Sequence, residues 1–240
     1  MILTVTLNAA LDVTYRVAAL VPGGSHRVED VHTRAGGKGV NVARVLAGLG
    51  HEVVVTGLVG GATGEQIRAD LRRAGLVDEM VAADGESRRT VNVVAGGDAT
   101  IFNEPGPRLP ATAWVDFRTR YAGLAAAAAC VVLAGSLPPT LPEDAYAELV
   151  RLAAGAESIV DADGAPLRAA LAAGPHVVAP NAAELAAATG EADPVAAVDA
   201  LRAAGARTVV ATFGAEGLVA SGPGVALRAR PPTRVVGNPT

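Results

Sequence analysis

Residues 34–44 read Arg34-Ala35-Gly36-Gly37-Lys38-Gly39-Val40-Asn41-Val42-Ala43-Arg44, with three glycines leading straight into a helical run. Glycines let backbone N–H groups close up on a ligand, and the N-terminus of the helix that follows favours anions. Lys38 is the single lysine among 20 basic residues. Its compact ammonium suits a phosphate as a point charge, and Asn41 on the first helical turn carries an amide suited to sugar hydroxyls. The spacing is not a Walker loop, because Val40 and Asn41 follow where Ser or Thr is required, and it is not the dinucleotide fingerprint. A glycine cluster alone means a helix-entry turn; the lone lysine inside it and the amide after it favour a ligand loop.

Outward from this loop, short β-branched runs alternate with segments of helical period, the pattern of a parallel sheet flanked by helices. Strands are expected at Val53-Thr56, Val131-Ala134, Ser158-Asp161, Val177-Ala179 and Thr208-Thr212. Helices are expected at Val40-Leu49, Ala111-Ala129, Pro142-Ala154, Ala165-Ala173, Ala182-Thr189 and Pro194-Ala204, many of them alanine-rich enough to pack close to the sheet. Thr63-Gly64-Glu65-Gln66 reads as a capping box ahead of Ile67, Leu71 and Ala74 on one helix face, ending at Gly75. Two stretches read as hairpins instead: Asp12-Ala18 with Arg27-Thr33 around Pro22-Gly23-Gly24-Ser25, and Thr90-Val94 with Thr100-Asn103 around Gly96-Gly97-Asp98. They suggest a small antiparallel sheet standing off an α/β body, as a lid or an oligomer contact. With no repeat and no long linker, residues 1–240 read as one domain with lid strands inserted at about 11–35 and 86–104.

Composition removes several classes. Half of the residues are hydrophobic and 18% charged, which excludes intrinsic disorder. A net charge of -4 with only 3% aromatic residues offers neither a basic field nor a stacking platform, so no nucleic-acid partner is expected. The longest uncharged apolar stretch, Leu124 to Gly135, is too short to span a bilayer, and Met1-Ile2-Leu3 has no basic region ahead of it, so no membrane association is expected. The lone Cys130 lies in an apolar run and reads as a small buried hydrophobe, which suits a cytoplasmic location. His26, His32, His51 and His176 share no metal-ligand spacing and read as structural or exposed.

Several strand ends carry polar groups where open α/β sheets place ligands. Asp12 follows the first strand, although an Asp there is also a turn former. Arg88-Arg89 precede the second hairpin, and Asn103-Glu104-Pro105-Gly106-Pro107 follow it. Gly135-Ser136-Leu137-Pro138-Pro139, Asp161-Ala162-Asp163-Gly164 and Pro180-Asn181-Ala182-Ala183-Glu184 each close a strand. The carboxylates among them suit Mg²⁺, often through water, or else cap the next helix. Thr212-Phe213-Gly214-Ala215-Glu216-Gly217 is a glycine-bearing turn.

In this order the segments resemble the ribokinase-like (PfkB) carbohydrate kinase family from Thr6 to Thr240, and within it the branch of 1-phosphofructokinase and tagatose-6-phosphate kinase. GGKGVNVARVLAGLG at Gly36-Gly50 and GLVGGATG at Gly57-Gly64 carry most of the likeness, supported by NEPGP at Asn103-Pro107, GSLPP at Gly135-Pro139 and PNAAEL at Pro180-Leu185. The resemblance implies a ribokinase-like α/β fold and phosphoryl transfer from ATP to a hexose phosphate, with fructose 1-phosphate, tagatose 6-phosphate and fructose 6-phosphate as the alternatives. It places Asp12, Gly37, Lys38 and Asn41 on the sugar, Lys38 and Arg89 near its phosphate, and Ser136 beside them. It also implies that Asn181 and Glu184 organise Mg²⁺ and the ATP phosphates, with Glu184 as the metal residue, while Thr212, Gly214 and Gly217 border the nucleotide. The inserted strands would be the lid, and a possible surface for a homodimer. Many relatives have Lys where Ala179 stands, and Pro is frequent where Ala9 stands. They continue after Gly237-Asn238-Pro239-Thr240 with Gly-Ala-Gly-Asp, so the catalytic base is expected just after Thr240 and none within the 240 residues. Two rival readings are a non-catalytic sugar-phosphate binding protein on the same scaffold and a ribokinase-type sugar or nucleoside kinase.

Overall fold

The computed structural model describes residues 1–232. The chain begins with β1 (Ile2–Thr6), then a hairpin of β2 (Ala10–Arg16) and β3 (Asp30–Gly36). α1 (Lys38–Gly48), β4 (Val53–Val59), α2 (Gly61–Arg73) and the two-residue strands β5 (Val77–Asp78) and β6 (Val81–Ala82) follow, and β7 (Arg88–Ala95) with β8 (Asp98–Asn103) forms a second hairpin. The alternation then runs through α3 (Ala111–Ala125), β9 (Cys130–Ala134), α4 (Ala145–Leu152), β10 (Glu157–Asp161), α5 (Gly164–Leu171), β11 (Val177–Val178), α6 (Ala182–Thr189), α7 (Pro194–Ala203) and β12 (Thr208–Thr212). A 3₁₀ turn at Gly214–Glu216 leads into β13 (Leu218–Gly222) and β14 (Val225–Ala229).

The main sheet runs β14-β13-β12-β11-β10-β9-β1-β4-β5, with β6 also pairing β4. From β12 to β5 and β6 every pairing is parallel. Such a sheet is covered on both faces, which is why its strands read as unbroken apolar runs. In β4, Val54 and Leu58 point into one core with Phe117, Tyr121, Tyr146 and Leu149, while Val53, Val55 and Val59 point into a second core with Val40, Ala43, Ile67 and Leu71. The rings of Trp114, Phe117 and Tyr121 stack in series along α3, with centroids 5.8 and 6.0 Å apart. The chain proceeds from β1 outward to β4, then returns to β9 on the other side of β1. The C-terminal end of β1 is therefore the switch point, where such sheets leave a crevice.

The two hairpins form a separate four-stranded sheet in the order β3-β2-β7-β8. Each hairpin is antiparallel, and the seam between them, β2 with β7, is parallel. Opposed residues share a face, so Asp12, paired with Thr90, lies on the same side as Arg88 and Asn103.

Some local expectations are corrected. Thr63 is not a cap: α2 starts at Gly61 after an extended Gly60, and Thr63 is buried inside the helix. The free N–H groups of Ala62 and Thr63 donate to the carboxylate of Glu86, a partner supplied from across the fold. α3 stops at Ala125, and α4 begins at Ala145 instead of Pro142. Cys130, at the first position of β9, is only half-buried. The β13–β14 hairpin extends the sheet antiparallel beyond β12, an edge that the alternation of strands and helices does not predict.

Candidate active site

A cavity of about 490 Å³ opens at the ends of β1, β9 and β10, beneath the small sheet. Its glycine wall comes from the turn into α1. Gly37 caps the helix with φ +105°, and a Cβ there would come within 2.5 Å of the Thr6 methyl group. Any side chain would therefore both strain the backbone and push α1 off β1. Lys38, the first helical residue, extends across the cavity, and its Nζ donates to Asp161 Oδ1 at 2.8 Å and Glu184 Oε1 at 3.0 Å. Burial alone would pull the ammonium down, but the hydrogen bonds and charges of those two carboxylates outweigh it and hold the pKa above its ordinary value.

Glu184 is placed by a true capping box. The Asn181 side chain accepts from the N–H groups of Ala183 and Glu184, and Glu184 Oε2 accepts from the Asn181 N–H at 2.9 Å. One oxygen of Glu184 thus fixes the helix start, and the other faces Lys38. Ser136 and Gly135 follow β9 on the opposite wall. There the fully buried Tyr146 donates its hydroxyl to Gly135 O at 2.9 Å, and burial pushes its pKa above the ordinary range, so the phenol remains a donor.

Gly37, Lys38, Ser136 and Glu184 all line this cavity, whereas Asp12, Asn41, Arg89 and Asn181 are not among its lining residues. Asn41 lies exposed on α1. Asp12 is held behind the glycine turn, so close that a Cβ on Gly36 would reach 2.1 Å from Asp12 Oδ2. Thr212, Gly214 and Gly217 lie at the end of β12, where the Thr212 N–H donates to Pro180 O at 3.0 Å beside Asn181. The same turn borders a second cavity of about 350 Å³ with Phe213, Glu216, Leu218 and Pro194 on its walls. The segment Gly237-Asn238-Pro239-Thr240 lies outside the described residues, and so does the base expected after it.

Among the lining residues, Thr6 and Asn8 are not singled out in the sequence at all, and Arg88 and Asp163 are singled out only as polar groups at strand ends, without a ligand role of their own. Arg88 is the informative case. Its Nε donates to Asn8 O at 3.0 Å and its Nη1 lies 3.3 Å from Thr90 Oγ1, whereas Arg89 is exposed and pairs in register with Leu11 on the other face. The period of two along a strand sends one arginine of the pair inward, and only the register with β2 says which.

Asp12 has its pKa raised by burial, which outweighs the opposing charges of Arg34 and Arg88, the hydrogen bond with Thr90 and the charge of Arg44. A carboxyl with a folded pKa above its unfolded value of 3.8 favours folding when protonated, and that contribution is lost as pH rises through the folded pKa. Asp12→Asn is therefore expected to match or exceed the parent in melting temperature at pH 7, with the difference vanishing toward pH 3.5. A variant that melts lower at pH 7 would show that Asp12 stabilises the fold as an anion.

Among the described residues, no helix is long and apolar enough to cross a membrane. The family model for pfkB family carbohydrate kinases matches residues 5–240, and the chain belongs to that family. It is 39% identical to a 1-phosphofructokinase of Xanthomonas campestris pv. campestris, across 98% of this chain and 78% of that protein. The structure of the tetrameric inhibited form of Escherichia coli phosphofructokinase-2 superposes with a TM-score of 0.90 at 29% identity, covering 96% of this chain and 79% of that one. A possible 1-phosphofructokinase from Thermotoga maritima superposes with a TM-score of 0.85 at 28% identity, covering 93% and 75%. The mixed α/β ribokinase-like fold and the phosphotransferase class are shared with these proteins, and the chain is a hexose-phosphate kinase.

Proposed function

We propose that the chain transfers the γ-phosphoryl group of ATP to a free hydroxyl of fructose 1-phosphate, with Mg²⁺ as the accompanying ion. The observation that carries this reading is a cavity lined both by a lysine bridging two carboxylates and by an inward-turned arginine. The two cations suit a substrate and a product that carry phosphate, and the 39% identical relative is a 1-phosphofructokinase. In our reading, Arg88 takes the phosphate role assigned above to Arg89, Ser136 and Gly37 border the sugar, and Asp12 supports it from behind the glycine turn.

The donor set fits Mg²⁺. Glu184 and Asp161 present hard oxygens that converge on one point, the Lys38 ammonium, and Asp163 lines the same cavity. The described residues form no group of three or more acidic, His or Cys ligands, and Mg²⁺ is usually held by one or two carboxylates together with waters and phosphates. When bound, the ion would neutralise charge on the phosphates. Asn181 and Glu184 would organise that end of the site, and Thr212, Gly214 and Gly217 would border the nucleotide. The chain's own residues supply position and charge, which is what phosphoryl transfer through a loose transition state requires.

The test is ADP formation with ATP, Mg²⁺ and each of fructose 1-phosphate, fructose 6-phosphate and tagatose 6-phosphate, alongside calorimetric binding of the same sugars. Fructose 1-phosphate is expected to give the highest kcat/KM and the tightest binding. Preference for another sugar phosphate would reassign the substrate; tight binding with no ADP released by protein that includes the Gly-Ala-Gly-Asp segment expected after Thr240 would favour the sugar-phosphate binding protein; preference for free ribose or adenosine would favour the ribokinase-type reading.

A further inference from the structure

Asn8 lies two residues past β1, at the switch point, with 5% of its surface exposed. Its Nδ2 is 3.1 Å from Pro105 O, 3.2 Å from Ser136 Oγ and 3.4 Å from Leu137 O. Its main-chain oxygen accepts from Arg88 Nε at 3.0 Å. One residue therefore ties together the loop after β8, the loop after β9 and the base of β7, three walls that are distant in sequence.

The chemistry of the contacts fixes which way the amide points. Pro105 O and Leu137 O are carbonyl oxygens and only accept, so the amide nitrogen must face them. Turning the amide over would set its oxygen against both. The two N–H hydrogens are shared among the three acceptors, Ser136 Oγ accepts a hydrogen bond from Asn8, and its own O–H is left to donate elsewhere. On the far side of the amide, Gly106 has φ +95°, and a Cβ there would come within 2.2 Å of Asn8 Oδ1. Gly106 is thus needed both for its backbone conformation and for the room it leaves the amide. The buried Oδ1 accepts from no protein group, so the contacts made by Nδ2 and the fit against Gly106 set the orientation.

We infer that the Asn8 side chain is the positioning group of the sugar-phosphate subsite, orienting Ser136 as a hydrogen-bond donor toward the ligand, while the main-chain carbonyl of the same residue anchors Arg88 beside it. Asn8 lines the same cavity, and the role inferred for its amide is exercised through Ser136 and not by contact with the reacting atoms. The inference rests on the sugar-phosphate reading of the cavity. It adds a claim that reading does not contain: the donor character of Ser136 is imposed from the end of β1.

The experiment is calorimetric titration of fructose 1-phosphate and, separately, of ATP into the parent protein, Asn8→Ala, Ser136→Ala, the double variant and Gly106→Ala. Asn8→Ala is expected to weaken fructose 1-phosphate about tenfold, the effect of one lost buried hydrogen bond, and to leave ATP within about twofold. The double variant should bind the sugar phosphate no worse than about threefold below the weaker single variant, because both substitutions remove the same donor. Gly106→Ala crowds the amide without deleting it and should lower sugar-phosphate affinity in the same selective way, which keeps the test open if Asn8→Ala folds poorly. Equal losses for sugar phosphate and ATP, or additive losses in the double variant, would overturn the inference while leaving the kinase reading intact. A parent that binds ATP but none of the three hexose phosphates would overturn both.

Discussion

Replacing Lys38 by Met is expected to lower kcat/KM for the hexose phosphate by roughly 10²- to 10³-fold, the scale of losing one charged contact to a reacting phosphoryl group. Met keeps most of the length of the side chain and removes the charge together with the N–H donors that bond Asp161 and Glu184. Because Nζ bridges Asp161 and Glu184, the loss should not be confined to the sugar phosphate. Without the ammonium, two carboxylates converge uncompensated, with Asp163 also on the cavity wall, and repel every anionic ligand. The same change should tighten Mn²⁺ binding to the ligand-free protein, since the ion no longer competes with a bound lysine. Steady-state kinetics and Mn²⁺ titration by electron paramagnetic resonance check the two halves. Turnover within threefold of the parent, or unchanged Mn²⁺ affinity, would remove Lys38 from the role assigned to it. The sequence reading, which put Lys38 on the sugar and near its phosphate, implies instead a loss specific to the sugar phosphate, and titration of ATP into the Lys38 variant separates the two.

The second large effect is a contrast between neighbours. Arg88→Ala is expected to weaken hexose-phosphate binding by about 100-fold, as removal of a desolvated cation from its anion commonly does, and Arg89→Ala by less than about threefold. Arg88 is half-buried, and burial pulls its pKa down against the raising influence of Asp12 and Glu104, yet a guanidinium remains charged at any working pH. Its Nε is already committed to Asn8 O, so its fork is aimed. Arg89 is exposed on the opposite face, where its N–H pairs with Glu104 Oε2 at 2.7 Å and its side chain does not line the cavity. Equal effects at the two positions, or a larger effect at Arg89, would mean that the lid rearranges on binding so that the outer arginine turns in.

The two predictions mark the boundary of what could be read from residue order. The alternating apolar runs implied a parallel sheet because strands buried on both faces have no polar side to show. The glycine turn with a single lysine implied an anion site because few other uses explain that residue there. Those are local arguments, and they hold without coordinates. The capping box at Thr63 failed for the complementary reason: the free N–H groups of α2 are satisfied by Glu86, more than twenty residues away, and no local spacing encodes such a partner.

By itself, then, the sequence determined the α/β class, the glycine turn into α1 and the presence of two hairpins outside the main sheet, since each depends on periodicity or on contacts within about four residues. Only the tertiary structure decided which arginine of Arg88-Arg89 faces the cavity, that Lys38 bridges Asp161 and Glu184, and that Asn8 joins the loops after β8 and β9 to the base of β7. Strand register and the meeting of strand ends at the switch point are set by how the whole sheet packs. A side chain's neighbours across that crevice come from segments up to 146 positions apart, as with Lys38 and Glu184, and nothing in the spacing along the chain specifies them.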